Sequence, residues 1–208
     1  MALVKKHTAQ VIEELPTFDS LEEADEYFEN SINFDHSVHA VDQMMTFNEG
    51  PKLLISKLVE EETEKNVEAH IAAAISKMDG KTAPIESIMD LLKLDDAYVR
   101  NLGICMLQDF GDSIKYYIVK FLIGDDRDLR IFAINVLGDV NFAESRDMLV
   151  ELLDSEEDIN VAMTAVDYLG EIGEEEDIPL LEDLKTRFHD DAYVSFGVDK
   201  AIKAIKDN

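Results

Sequence analysis

Three histidines, one cysteine and two arginines are the residues whose types and spacing bear on chemistry. His36 and His39 lie one helical turn apart, His70 follows His39 by 31 residues, and Asp35 and Asp42 stand close by. Imidazole and carboxylate in such a set could converge on a metal ion. No established ligand spacing is matched, so the expectation is no metal, no cofactor and no catalytic residue, with His36, His39 and His70 kept as weak metal candidates. Cys105 is the single thiol, so no intramolecular disulfide can form. A reactive thiolate needs a cationic neighbour or a helix N-terminus, and Cys105 falls in mid-helix, so it reads as inert. No Gly-rich phosphate loop, nucleophile elbow or paired-cysteine motif occurs.

Arg100 and Arg130 stand 30 residues apart, each directly after an apolar anchor, with Asp95, Asp96, Asp125, Asp126 and Asp128 near in the chain. They fit either recognition of an acidic ligand or a ladder of structural ion pairs. The ladder is favoured, because the acids to pair with are already present.

Charge narrows the possible partners. Acidic residues outnumber basic ones 46 to 19, a net charge of -27, and between His7 and Pro51 there is no Lys or Arg against eleven Asp and Glu. Such a surface repels a phosphate backbone or an anionic bilayer, so neither nucleic acid nor a membrane is expected as a partner. The densest apolar runs, Leu53 to Val59 and Ile71 to Ile75, fall far short of the roughly 20 residues that a membrane span needs. With no secretory segment in the first thirty residues, the expected location is the cytoplasm. A length of 208 residues, 46% of them hydrophobic, supports one well-filled core, and the prior is one soluble domain.

The elements that must carry these residues emerge from an internal repeat. Aligning Tyr98-Val99-Arg100 with Asp128-Leu129-Arg130 brings Gly103 onto Ala133 and Leu107 onto Leu137, and the match extends both ways. The first apolar column reads His36, Val67, Val99, Leu129, Val161 and Val194, at spacings of 31, 32, 30, 32 and 33 residues. Apolar columns recur four, eight and eleven residues later, which is one face of a helix. Twelve residues on stand Asn48, Asp79, Gly111, Asn141 and Gly173, all tolerant of a left-handed helix stop. A second apolar pattern follows in each copy, closing in Leu58-Val59, Leu91-Leu92, Phe121-Leu122, Leu152-Leu153 and Leu184-Lys185. Pro51, Pro84 and Pro179 lie in its opening turns, where a missing N–H costs least.

Two antiparallel helices every 30 to 33 residues make an all-α chain. The expected architecture is a right-handed α-solenoid of about five and a half two-helix repeats with an N-terminal capping helix. Residues 1–19 are expected to be a partly loose N-terminal segment, with Val11, Ile12 and Leu15 able to pack on the cap. Residues 20–35 hold the capping helix, started by Ser20 with Glu23 three residues on. Residues 36–208 are the solenoid, one continuous domain with the cap. Asp199 replaces the column of Val41, Ala72, Ile104, Ile134 and Val166, as befits a last copy facing water.

The motif Asp96-x-x-Val99-Arg100-x-x-Gly103-x-x-x-Leu107-x-x-Phe110-Gly111-Asp112, followed by Leu129-Arg130, Ala133 and Leu137-Gly138-Asp139, then by Ala165, Leu169-Gly170-Glu171 and Gly173, resembles the short HEAT-like repeats of phycobilisome lyases and many bacterial proteins. The resemblance spans roughly residues 36 to 205 and is strongest from 96 to 174. It implies a solenoid and singles out no activity. HEAT-type di-iron hydroxylases carry repeated His-Glu pairs, and here no His precedes a Glu. HEAT-like DNA-repair folds carry basic faces, whereas between Asp125 and Asp191 there are five basic against twenty-one acidic residues.

The surface expected to matter is the concave, second-helix face. Two and five residues before each terminal pair, positions that should point to water, stand Leu53, Met89, Tyr116, Val119 and Val150, an apolar stripe across four repeats. Lys57, Asp90, Lys120 and Glu151 are expected to rim it. The reading is a non-enzymatic interaction scaffold or adaptor, monomer or weak homodimer, binding a cationic or amphipathic protein segment. The alternative, implied by the family resemblance alone, is a lyase-like accessory subunit assisting prosthetic-group attachment to a target protein.

Overall fold

The computed structural model describes residues 15–207 except 61, 141, 142 and 190. Among them, α1 (Leu21–Glu29) is followed by five helix pairs and a last single helix. The pairs are α2 (Phe34–Met44) with α3 (Gly50–Lys57), α4 (Lys65–Ile75) with α5 (Ile85–Leu91), and α6 (Ala97–Asp109) with α7 (Lys115–Leu122). Then come α8 (Arg127–Asp139) with α9 (Ser145–Ser155) and α10 (Ile159–Ile172) with α11 (Ile178–Arg187), and finally α12 (Ala192–Asp207). The first helices α2, α4, α6, α8, α10 and α12 stack in order, and α1 packs on α2. The second helices form the other layer, with α5 against α3 and α7, and α11 against α9. This is an α-solenoid.

The starts of the first helices are set by a column three residues before the apolar anchor. Asn33, Asp96, Asp126 and Asp158 each accept hydrogen bonds from backbone N–H groups of the following turn. Asp191 does the same for Tyr193 and Val194. These bonds satisfy donors that a helix start leaves orphaned. Glu64 holds this column in the second copy and makes no such bond. The acids near Arg100 and Arg130 therefore serve the backbone in part, with Asp96 and Asp126 as caps. At α1, Ser20 accepts from the Glu23 N–H while the Glu23 carboxylate reaches back to the Asp19 N–H.

Helix ends differ from the expected left-handed stop. Gly111 has φ +50°, but Gly173 is extended with φ -72° and ψ 163°. Asn48 and Asp79 are not left-handed, since His189 is the one non-glycine residue with positive φ among those described. Asn141, Val11 and Ile12 lie outside the described residues. The reason is visible at α2 and α4, which unwind through i to i+3 turns: Phe47 N–H to Met44 O and Met78 N–H to Ile75 O. These tighter turns reverse the chain without a left-handed residue.

The columns of the repeat fill the core: Ala40, Ile71, Ala133, Ala165 and Val198 are buried, as are Met44, Ile75, Leu107, Leu137, Leu169 and Ile202. Gly138 lets the Tyr168 ring pack against the helix backbone, and a Cβ there would force that ring to shift. At the far end Asp199 is exposed and pairs with Lys185 at 2.6 Å.

Candidate functional site

The three histidines are each claimed by a different partner. His36 Nδ1 shares a hydrogen bond of 2.9 Å with the Tyr27 hydroxyl, and the two rings stack at 5.6 Å. His39 Nε2 donates to the Pro16 carbonyl. His70 Nε2 donates to Asp42 at 2.9 Å, across to the previous repeat. His39 and His36 thus fasten the N-terminal segment and α1 to α2, and no group of three His, Cys, Asp or Glu among the described residues is arranged to hold a metal. Cys105 is exposed.

Arg130 is the floor of a built site. Its guanidinium makes two bonds to Glu156, Nε to Oε2 at 2.9 Å and Nη2 to Oε1 at 3.2 Å, and donates to the Gly124 carbonyl at 2.8 Å. Both side chains are largely buried, 15% and 5% exposed, so the pair is an inter-repeat strut rather than a free anion receptor. Arg100 makes the matching bond to the Leu94 carbonyl at 2.6 Å, and its guanidinium lies 5.1 Å from the Phe132 ring centre. The ion-pair ladder therefore takes a form the sequence did not specify: Glu156 for one arginine, a carbonyl and an aromatic face for the other.

Above the Arg130–Glu156 pair, a cleft of about 490 Å³ opens between α7 and α9. Leu122, Met148 and Leu152 give it an apolar wall, and Asp125, Glu151 and Glu157 stand at its edge. On the α7 side Tyr116, Val119 and Ile123 are 68%, 38% and 79% exposed. Their spacing of three and four residues puts them on one helix face. Lys120 Nζ lies 5.0 Å from the Tyr116 ring centre, a cation–π contact beside the apolar patch.

The stripe read from the sequence is corrected at Met89. That side chain is 3% exposed, because α5 is covered by neighbours on both sides. Leu53 and Val150 are half-buried against the core, so of the five stripe residues only Tyr116 and Val119, both on α7, are exposed. Lys57, expected at the rim, is also buried. Its side chain is 7% exposed, with Asp25 at 3.1 Å, Glu29 hydrogen-bonded and Glu60 at 3.6 Å. Burial pulls the ammonium's pKa down, but the bonds to Glu29 and Asp25 outweigh it and hold the pKa above its ordinary value. Lys57 clamps α1 onto α3.

Ile123 was not among the residues that the spacing selected, yet a signal was available. Two residues after the first member of each terminal pair stand Glu60, Lys93, Ile123, Asp154 and Thr186, and Ile123 alone is apolar. Met148 and Leu152 carry no comparable mark, since apolar residues are expected at their positions; Leu152 opens the terminal pair, where Leu58, Leu91 and Leu184 are buried.

No helix among the described residues is long and apolar enough to cross a membrane. Residues 117–193 match the family model described as HEAT repeats. No curated protein matches the chain. Similar solved structures include a designed armadillo repeat protein in complex with the peptide (KR)4, 15% identical with a TM-score of 0.44, covering 89% of this chain and 99% of that one. An engineered protein is 17% identical with a TM-score of 0.42, covering 91% and 98%. The complex of CpcE and CpcF of phycocyanin lyase from Nostoc sp. PCC7120 is 14% identical with a TM-score of 0.34, covering 98% and 100%.

Proposed function

We propose, from the premise that this chain is a HEAT-like repeat protein, that it is a non-enzymatic scaffold holding a partner protein on its second-helix face, at the cleft between α7 and α9. The observation that carries the reading is the exposure of Tyr116, Val119 and Ile123 on one face beside an apolar-walled cleft with a carboxylate edge. Apolar side chains exposed together on a soluble surface are a standing incentive to association, and aromatic residues are favoured anchors in interfaces. The partner segment places an apolar side chain between Val119 and Met148 and a cation near Glu151 and Glu157. Lys120 sits on the Tyr116 ring, so the α7 side of the surface also carries a positive charge.

A repeat stack supplies such a surface without gathering side chains into a reaction centre. Three titratable clusters are structural: Lys57 with its three acids, Arg130 with Glu156, and Arg146 with Asp177 and Glu176 at 2.7 Å.

The test is affinity capture from a lysate of the producing cells with wild type, a Tyr116→Asp, Val119→Asp variant and a Phe196→Asp control, all matched for helicity and melting temperature. Phe196 is 73% exposed on α12, away from the cleft. The reading requires one protein to be retained by wild type and by the control and lost by the double variant. Retention of the same protein by all three places its binding site elsewhere.

A further inference from the structure

The column that follows the apolar anchor reads Ser37, Glu68, Arg100, Arg130, Ala162 and Ser195. Where it holds arginine, the guanidinium donates to the carbonyl six residues earlier and, at Arg130, to Glu156. Glu68 reverses the charge at this position and cannot make the carbonyl bond. Its side chain is 4% exposed, and Oε2 is buried without a hydrogen-bond donor among the described residues. Lys65 Nζ lies 3.2 Å from that oxygen, but outside hydrogen-bond geometry, and is itself 60% exposed, resting over the Tyr98 ring at 4.4 Å.

Glu68 lines a cleft of about 390 Å³, where Leu94 and the half-exposed Val59 provide apolar wall, and Glu60, Asp95 and Asp96 stand around it. Asp96 also caps α6 and Glu60 also lies 3.6 Å from Lys57, so Glu68 and Asp95 are left facing the largely exposed Lys65 ammonium. A carboxylate withdrawn from water needs donors, and here the chain leaves one oxygen short.

We propose that this cleft receives an arginine side chain from a bound protein segment. The guanidinium passes Glu60 and Asp95 and displaces the largely exposed Lys65 ammonium, 3.2 Å from Glu68 Oε2, to donate to that oxygen, and its aliphatic stem lies on Val59 and Leu94. Arginine suits the site better than lysine because a planar, weakly hydrated guanidinium can donate to two carboxylates at once. The Arg130–Glu156 pair is the same chemistry with both partners supplied by the chain itself. The site is separate from the α7–α9 cleft and relies on the scaffold reading only in taking its guest from a protein.

The experiment is an NMR titration of the ¹⁵N-labelled full chain with acetyl-Ala-Arg-Ala-amide and with its citrulline counterpart, which keeps the shape and removes the charge. Wild type, Glu68→Gln and a distant one-charge control, Glu175→Gln, are compared. The expected result is arginine-dependent shifts confined to residues 58–68 and 94–99, at least tenfold weaker binding of citrulline, and at least fivefold weaker binding of arginine by Glu68→Gln alone. The amide variant is expected to melt at or above the wild-type temperature, whereas a purely structural ion pair with Lys65 predicts a lower one and no change in titration. Equal losses in the two variants, or equal binding of the two peptides, would overturn the site. Shifts confined to residues 115–124 and 145–157 would also overturn it, while leaving the α7–α9 reading intact.

Discussion

Lys57 shows how one side chain can hold an end of the stack. It is the buried cation of α3, and two of its acids, Asp25 and Glu29, belong to α1. Replacing it by Met is expected to destabilise the chain by roughly 1–3 kcal/mol, at the lower side for a buried pair because Glu29 and Glu60 remain half hydrated. Urea denaturation of Lys57→Met against wild type measures this. The pH dependence has a definite sign. The folded pKa lies above the ordinary 10.5, so the folded chain holds this proton more tightly than the unfolded one. The contribution is complete below about pH 10.5 and fades as pH rises through the folded value. The gap between wild type and Lys57→Met is therefore expected to narrow as pH rises through the folded value of Lys57. Arg130→Met gives a harsher outcome, about 3–5 kcal/mol, because Glu156 is left charged and 5% exposed. A loss under 1 kcal/mol in the same denaturation series would contradict the strut assignment.

Among the elements, the first helices were the most legible from sequence, and the residues explain why. Each apolar column is repeated in six copies, and the periodicity of a helix converts four such columns into one buried face. The cap column Asn33, Asp96, Asp126, Asp158 and Asp191 has the same regularity, and its exception makes a prediction. Glu64 carries one methylene too many to fold back on its own helix start, and it makes no cap bond. Glu64→Asp is expected to stabilise the chain by about 0.5–1 kcal/mol, and Asp158→Ala to destabilise it by about 1 kcal/mol. Thermal melts of the two single variants check both signs. At Asp96 the backbone N–H groups of Val99 and Tyr98 hold the carboxyl below its ordinary pKa, so its share of stability is present at neutral pH and lost as pH falls through the folded value. The second helices were less legible. Whether Met89 faces water depends on both neighbours of α5, and whether Val119 lines a cleft depends on how far α7 stands from α9. Neither distance is written in a helical period.

For the whole molecule, the dominant quantity is charge. With 46 acidic against 19 basic residues, the folded chain repels itself, and this repulsion is long-ranged and screened by salt. Raising ionic strength from about 0.01 M to about 0.1 M shortens the screening length from about 30 to about 10 Å. The melting temperature is expected to rise over this range, and a fall in calorimetric scans would mean that local ion pairs outweigh net repulsion. On the proposed scaffold reading, the same net negative field favours the approach of a cationic segment. Repeats and composition made the solenoid and this field readable. Of the proposed surface, the exposure of Tyr116 and Val119 was readable from the sequence and the cleft was not, because a cleft is a relation between elements and not a property of any one.

On the proposed reading, α7 and α9 form the partner surface. Hydrogen–deuterium exchange of the chain, free and in complex with the protein it captures, tests this most directly. Added protection is expected to concentrate in residues 115–124 and 145–157, with α12 unchanged. Protection concentrated instead on α12, around Tyr193 and Phe196, with 115–124 exchanging as in the free chain, would contradict it.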